Sequence, residues 1–262
     1  MSTKWCRFQT GGKVSYGRID GDSVVAVDGA PWGEHTETST RRALSSVKLL
    51  IPTVPSTFYC VGINYRDHII QAAKRRGVEP QFPQRPDIGY RANNALTAHE
   101  DPIIKPKDAG EVFQYEGELV AVIGKPGKKI SAEKALDHVF GWTIGNDVSE
   151  RTWQRGDRTM WRAKNADSFK PMGPWIVTDL DYRKMTTVVR LNGQEVDRFA
   201  TANMIHDVET YIAEVSKYCT LYPGDVMWMG TDGTPRNMKP GDVCEVDITG
   251  IGTLRNKVVQ EE

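Results

Sequence analysis

Apolar residues in this chain fall into short runs closed by Gly, Pro, Asn or Asp, a pattern of many short strands rather than a helical bundle. Residues 14–19 and 24–27 read as strands joined across Asp20-Gly21-Asp22, a hairpin signal. Residues 29–40 are polar and turn-rich, 41–50 read as a short helix, and Pro52 and Pro55 then break the chain. Phe58-Tyr59-Cys60-Val61 predicts a buried strand, and a helical pattern over 69–76 stops at Gly77. Residues 80–95 carry Pro80, Pro83 and Pro86 with little periodicity, which predicts a loop that can serve as a lid.

The apolar run 119–123 is closed by Gly124 and preceded by Tyr115-Glu116-Gly117-Glu118. If the strand includes the acidic pair, its period of two puts Glu116 and Glu118 on one face and Gly117 on the other. A second run, 139–144, ends in Gly145-Asn146-Asp147. Further on, Asn192-Gly193 predicts a tight hairpin turn. Residues 208–219 predict a helix with Val208, Tyr211, Ile212, Val215 and Tyr218 as its core stripe. A strand over 226–229 leads into Gly230-Thr231-Asp232-Gly233-Thr234-Pro235. The whole reads as mainly β with some α, an α+β chain, with a small N-terminal β domain over 1–54 and a larger domain over 55–262.

Composition narrows the classes. At 262 residues, 39% hydrophobic and 26% charged, the chain has the balance of an ordinary globular protein with room for a sizeable core. Lys+Arg equals Asp+Glu at 34 each, so no global field recruits nucleic acid or an anionic membrane. Cys6, Cys60, Cys219 and Cys244 are far apart and form no C-x-x-C pair, which argues against a zinc site or a disulfide framework. The N-terminus lacks the apolar core of a signal peptide, and no run approaches membrane-spanning length. These features predict a cytoplasmic protein.

The candidate chemistry lies between Tyr115 and Asp147. Two carboxylates side by side at a strand entrance repel each other unless one takes a proton or a cation sits between them. With Asp147 as a third oxygen donor and no His or Cys ligand, Glu116 and Glu118 suit a hard cation, Mg²⁺ or Mn²⁺, rather than zinc. Spacing alone favours the plainer reading, the solvated face of a half-buried strand. His68 follows a strand and a Gly turn, a place from which a side chain can face a pocket. Arg151, Arg155, Arg158 and Arg162 would line one helix face, solvated by default; Arg151, four residues after Asp147, has the best position to meet a substrate carboxylate. Trp153 and Trp161 read as packing residues, and no phosphate-cradling G-x-x-x-x-G-K-[ST] element is present.

Larger blocks carry a resemblance. Cys60-Val61-Gly62-Ile63-Asn64-Tyr65-Arg66-Asp67-His68, Tyr115-Glu116-Gly117-Glu118-Leu119, Val122-Ile123-Gly124-Lys125 and Gly145-Asn146-Asp147-Val148-Ser149 resemble the fumarylacetoacetate hydrolase (FAH) family. Lys164, Asp167-Ser168-Phe169, Pro171-Met172-Gly173-Pro174-Trp175, Pro223-Gly224-Asp225, Gly230-Thr231 and Ile251-Gly252-Thr253 continue it in order over roughly 57–258. The resemblance implies a mixed β-roll built as a homodimer. It further implies Glu116, Glu118 and Asp147 as ligands of Mg²⁺ or Mn²⁺, Lys164 and His68 as catalytic residues, and Thr231 as a substrate-carboxylate binder. Arg91, Arg151 and Tyr65 are further candidates for substrate contact.

The implied substrate is a 2-oxo or 2,4-dioxo acid. An ion there acts as a Lewis acid on a developing enolate, Lys164 adds charge beside the oxyanion, and a base activates water or moves a proton at carbon. The leading expectation is hydrolysis of a carbon–carbon bond in an acylpyruvate- or fumarylpyruvate-like acid. The alternative keeps the site and needs no activated water: decarboxylation or tautomerisation of an oxaloacetate-like acid, or isomerisation of an unsaturated 2-oxo diacid. A binding or assembly module without catalysis is the alternative from another class. Departures from the family pattern bear on this choice, and the first favours the alternative that needs no activated water. Gln71 stands three residues after His68, where many relatives carry a Glu that pairs with the histidine on a lid helix; it cannot take up a proton, so water activation by His68 would need another carboxylate, Glu79 or Glu100. Arg91 stands for the usual lysine, and Gly-Thr-Pro becomes Gly230-Thr231-Asp232.

Overall fold

A computed structural model describes residues 2–262, without the side chains of residues 72, 75 and 76. Its backbone is one large sheet with a smaller sheet packed on it, as the α+β reading expects. The main path of the large sheet runs His35–Ala43, Ser23–Gly29, Lys13–Asp20, Lys4–Thr10, Lys170–Val177, Val139–Asn146, Gly117–Ile123, Val226–Trp228, Phe58–Val61, Ile88–Tyr90. The first four strands in sequence therefore extend the sheet that holds the acidic pair, joined to it where Trp5 lies opposite Ile176. The smaller sheet runs Gln194–Ala200, Thr186–Leu191, Val243–Ile248, Gly252–Gln260, Ile103–Lys105.

Alternation along Gly117–Ile123 explains why the two sheets pack. Leu119, Ala121 and Ile123 face Val189, Val246 and Leu254 in the main core. Val120 and Val122 face the other way, among Phe58, Cys60, Ile176 and Trp228. Gly117 falls on the first face, where a Cβ would stand 2.9 Å from Val189 Cγ2 and from Val246 Cγ1, so only glycine lets the sheets approach. Glu116 and Glu118 share the opposite parity, as period two requires.

Turns follow the predicted chemistry, with local exceptions. Asn192 and Gly193 both have positive φ and close the hairpin between Thr186–Leu191 and Gln194–Ala200. The lid helix runs Arg66–Arg76 and ends on Gly77 at φ 66°. The polar stretch 29–40 instead contains most of an edge strand, His35–Ala43, whose exposed side chains hide its strand character from a hydrophobicity reading. The helix expected over 41–50 is a 3₁₀ turn, Leu44–Ser46, and a strand, Lys48–Leu50, paired with Lys4–Thr10. The arginine series does not lie on one helix: Arg151–Gln154 and Trp161–Asn165 are separate, with the break at 155–160. The Val208–Tyr218 helix buries Val208, Tyr211, Ile212 and Val215, but Tyr218, expected in its stripe, is 70% exposed.

Candidate metal centre

Two neighbouring central strands bring the three carboxylates together. Gly117 pairs with Asn146 and Glu118 with Gly145, so Glu116 at one strand's entrance meets Asp147 at the other's exit. The Asp147 amide donates to the Glu116 carbonyl at 2.8 Å, and the Glu116 amide donates to Asn146 Oδ1 at 3.0 Å, which locks the corner. Gly145 has no room for a side chain, because a Cβ there would meet the Trp228 ring at 2.5 Å. One carboxylate oxygen from each of Glu116, Glu118 and Asp147 lies within 4.8 Å of the others, and all three residues are buried.

Four cations surround this triad. Lys164 Nζ bridges Glu116 Oε2 at 2.6 Å and Asp147 Oδ2 at 2.9 Å. Arg91 reaches Asp147 at 2.9 Å and Arg151 reaches Glu116 at 2.5 Å. Lys170, fully buried, stands 2.6 Å from Asp147 Oδ1. Glu118 differs from its neighbours: its Oε2 accepts from the Gly230 amide at 2.8 Å, and no cation pairs with it among the described residues.

Charge states follow from that asymmetry. Burial and the nearby Asp147 and Glu116 push the Glu118 carboxyl up to about 8. Burial opposes ionisation of Asp147 too, yet Arg91, Lys164 and Lys170 hold it well below the usual carboxylate range. Glu116 is likewise buried, and Arg151 and Lys164 outweigh that burial to keep it low. Burial lowers Lys170 to about 8 against the pull of Asp147.

The donor set fits a hard divalent cation: three converging carboxylates, two ionised, with a third whose proton such an ion would displace. The Tyr65 hydroxyl is a further polar atom nearby. It is fully buried, has no hydrogen-bond partner among the described residues, and is held well above the ordinary phenol range by burial, Glu118 and Asp232.

The loop after Val226–Trp228 ties this centre to the lid helix. Gly230, at φ 84°, turns its amide onto Glu118. Three residues on, the Gly233 carbonyl lies 3.2 Å from His68 Nδ1. A carbonyl only accepts, so Nδ1 is the donor in this contact and Nε2 is the ring nitrogen that it leaves uncommitted. Gln71 Oε1 accepts from the Thr234 hydroxyl at 2.5 Å, and Asp232 accepts from the His68 backbone amide. Thr231 sits between these contacts, half-buried, its hydroxyl on the Asp232 carbonyl at 3.4 Å.

The structure thus brings together the predicted ligands and Lys164, with Arg91 and Arg151 as their ion-pair partners rather than as free arginines. His68 and Thr231 join them through the loop at 230–234. Glu79 is exposed and Glu100 pairs with Arg255, so neither stands in for the missing Glu at 71. Two residues escaped the sequence reading. Lys170 lay unremarked between two quoted motif blocks, and Asp232 counted only as an altered proline. Trp161, read as packing, is 67% exposed and lines a cavity of about 560 Å³ with Tyr90, Arg91, Asn94 and Asn165, whereas Trp153 is buried beneath Arg162.

The mixed β fold, with its buried Glu-Glu-Asp cluster and a lysine laid across it, is the arrangement that the family resemblance implies. The profile for fumarylacetoacetate (FAA) hydrolase C-terminal domains matches residues 57–259, and that for Rv2993c-like N-terminal domains matches 3–52. Protein Rv2993c of Mycobacterium tuberculosis is 37% identical over 95% of both chains. Oxaloacetate tautomerase YisK of Bacillus subtilis is 34% identical over 82% of this chain and 74% of its own. A crystal structure of 5-carboxymethyl-2-hydroxymuconate delta-isomerase from Mycobacterium smegmatis superposes with a TM-score of 0.90 at 35% identity, covering 98% of this chain and all of that one. The chain belongs to the fumarylacetoacetate hydrolase family and is an enzyme of it.

Proposed function

We propose that this enzyme moves a proton at the carbon beside the keto group of a 2-oxo diacid, as a tautomerase of oxaloacetate-like acids or an isomerase of their unsaturated counterparts. The observation that carries this reading is the bonding of His68 and Gln71. The imidazole is hydrogen-bonded to a backbone carbonyl and the neighbouring Gln71 to a hydroxyl, so among the described residues no carboxylate accepts from the His68 ring to back it as a water-activating base. His68 Nε2 is the uncommitted ring nitrogen, suited to take the proton from C3. The Lys164 ammonium stabilises the negative charge that then develops on the 2-oxo oxygen. Thr231 and Tyr65 offer hydroxyls toward the substrate carboxylates. Glu116, Glu118 and Asp147 would hold Mg²⁺ or Mn²⁺, which supplies Lewis acidity toward the 2-oxo acid. The tautomerase relatives and the isomerase-like fold support the same chemistry.

Hydrolysis of a 2,4-dioxo acid at the same centre is the second reading, since the triad and Lys164 would serve it equally. Oxaloacetate and an acylpyruvate series, followed by their ultraviolet enol absorbance with Mg²⁺ and with a chelator, separate the two. The expected result is metal-dependent equilibration of oxaloacetate enol and keto forms, with acylpyruvates left intact. Pyruvate released from acylpyruvates would make the enzyme a hydrolase, and pyruvate with CO₂ from oxaloacetate a decarboxylase. A homodimer in the cytoplasm completes the proposal, its assembly to be read by sedimentation.

A further inference from the structure

Lys170 has no part in the reaction proposed above, yet it is built into the centre. Its side chain is fully buried, and its Nζ contacts Asp147 Oδ1 at 2.6 Å, the Val148 carbonyl at 2.9 Å and the Phe169 carbonyl at 3.0 Å. An ammonium has three N–H donors, and these acceptors use all of them. Lys170 is therefore a fixed positive charge behind Asp147, with nothing left to offer a substrate. Lys164 and Arg91 approach the other oxygen of the same carboxylate, Oδ2, and Arg91 Nε also donates to Oδ1 at 3.3 Å.

Charge at the centre is unbalanced as a result. Arg91, Arg151, Lys164 and Lys170 are four cations in contact with a triad of three carboxylates. A divalent ion entering alone, with all three carboxylates ionised as its ligands, would leave an excess of three positive charges in surroundings where charges interact strongly. A dianionic 2-oxo acid entering with it brings the excess back to one. Lys170 adds to the repulsion felt by the ion and, being saturated, takes no share in binding the anion directly. We propose that Lys170 is a charge-setting residue that makes tight binding of the divalent ion conditional on the anionic acid. The inference rests on the metal centre proposed above. Linkage makes it reciprocal, so the ion tightens the acid by the factor the acid tightens the ion.

A purely structural Lys170 would only orient Asp147, and the two roles predict opposite signs. Mn²⁺ binding to metal-stripped protein is measured calorimetrically near neutral pH in a buffer without carboxylates, then with oxalate as the anion probe. For the unaltered protein, Mn²⁺ binds at least about tenfold more tightly with oxalate present than without it. Without oxalate, both Lys170→Met and Lys170→Gln bind Mn²⁺ about tenfold more tightly than the unaltered protein, because a like charge close to the ion is gone. Their gain from oxalate shrinks by the same factor. Weaker Mn²⁺ binding in Lys170→Met with unchanged binding in Lys170→Gln, which keeps donors, would overturn the proposal in favour of simple orientation. Equal Mn²⁺ affinity of the unaltered protein with and without oxalate would also overturn it, and needs no variant to fold. Absence of Mn²⁺ binding under both conditions would remove the metal centre itself and the proposal with it, an outcome distinct from the other two.

Discussion

The carboxylate centre and the lid helix are held in opposite ways. The centre is made by paired central strands, glycines with no room for a Cβ, and ion pairs nearly all sealed from water. The lid helix Arg66–Arg76 meets the 230–234 loop through a few hydrogen bonds at His68 and Gln71, and Gln71 is exposed. The centre thus supplies fixed charge, the part of catalysis that gains most from rigidity. On the proposed function, the lid helix carries the group that moves a proton, the part that must admit and release substrate. Members of one family can therefore share the triad and differ in reaction through a residue such as Gln71.

The largest effect expected from breaking this contrast comes at Glu118. This residue lacks a cation partner, so Glu118→Gln leaves the four-cation network intact while removing a ligand charge. Metal-dependent turnover of oxaloacetate enol should fall by about 10³-fold or more, about 4 kcal/mol of barrier, with an unchanged circular dichroism spectrum. Turnover within a few-fold of the unaltered enzyme would show that the triad is an ion-pair network without a metal. At the lid, His68→Ala should cost about 10²-fold in kcat, the usual contribution of a general base. Mn²⁺ affinity should stay as it was, because the imidazole bonds Gly233 and not the triad. A His68→Ala variant with full tautomerase activity would move the base elsewhere.

A third change tests the rigidity of the centre alone. Gly117→Ala would place a methyl 2.9 Å from two valine methyls across the sheet-to-sheet contact. Overpacking of this kind costs about 1–3 kcal/mol. Thermal unfolding should show a lower midpoint, with kcat at lower temperature little affected. An unchanged midpoint would mean that the two sheets yield more easily than their packing implies.

Much of the rigid region was legible in the sequence, because it obeys strict local rules. Period-two alternation placed Glu116 and Glu118 on one face, the Asn192-Gly193 pair fixed a turn, and Gly77 ended a helix. What was missed lies where tertiary contacts decide. The His35–Ala43 strand is polar because it is an exposed edge, and a pattern of burial cannot reveal an element that buries little. Tyr218 sits at the right spacing for a core stripe but is the last residue of its helix and is exposed. Arg151 was read as a substrate binder from its place after Asp147, and Arg91 from standing where the family carries a lysine, whereas the fold commits both to carboxylates of the triad. Lys170 gave no signal at all, since a lysine at a strand start is ordinarily exposed and nothing local indicates a carboxylate behind it.

The smallest expected effect is the sharpest test of the lid. Thr234→Val keeps the shape of the side chain and removes the hydroxyl that donates to Gln71. Gln71 is exposed and can turn to water, so the net loss is that of one solvent-accessible hydrogen bond, about 0.5–1 kcal/mol. Because that bond holds the helix to the loop and touches neither the triad nor Lys164, the loss should fall on closure rather than on chemistry. Steady-state kinetics should then show KM raised about two- to fivefold with kcat almost unchanged, and limited proteolysis should cut within 66–76 faster than before. A fall in kcat of the same size with KM unchanged would mean that the Thr234–Gln71 contact shapes the transition state. The division between a rigid centre and a yielding lid would then have to be redrawn to include the 230–234 loop in the catalytic apparatus.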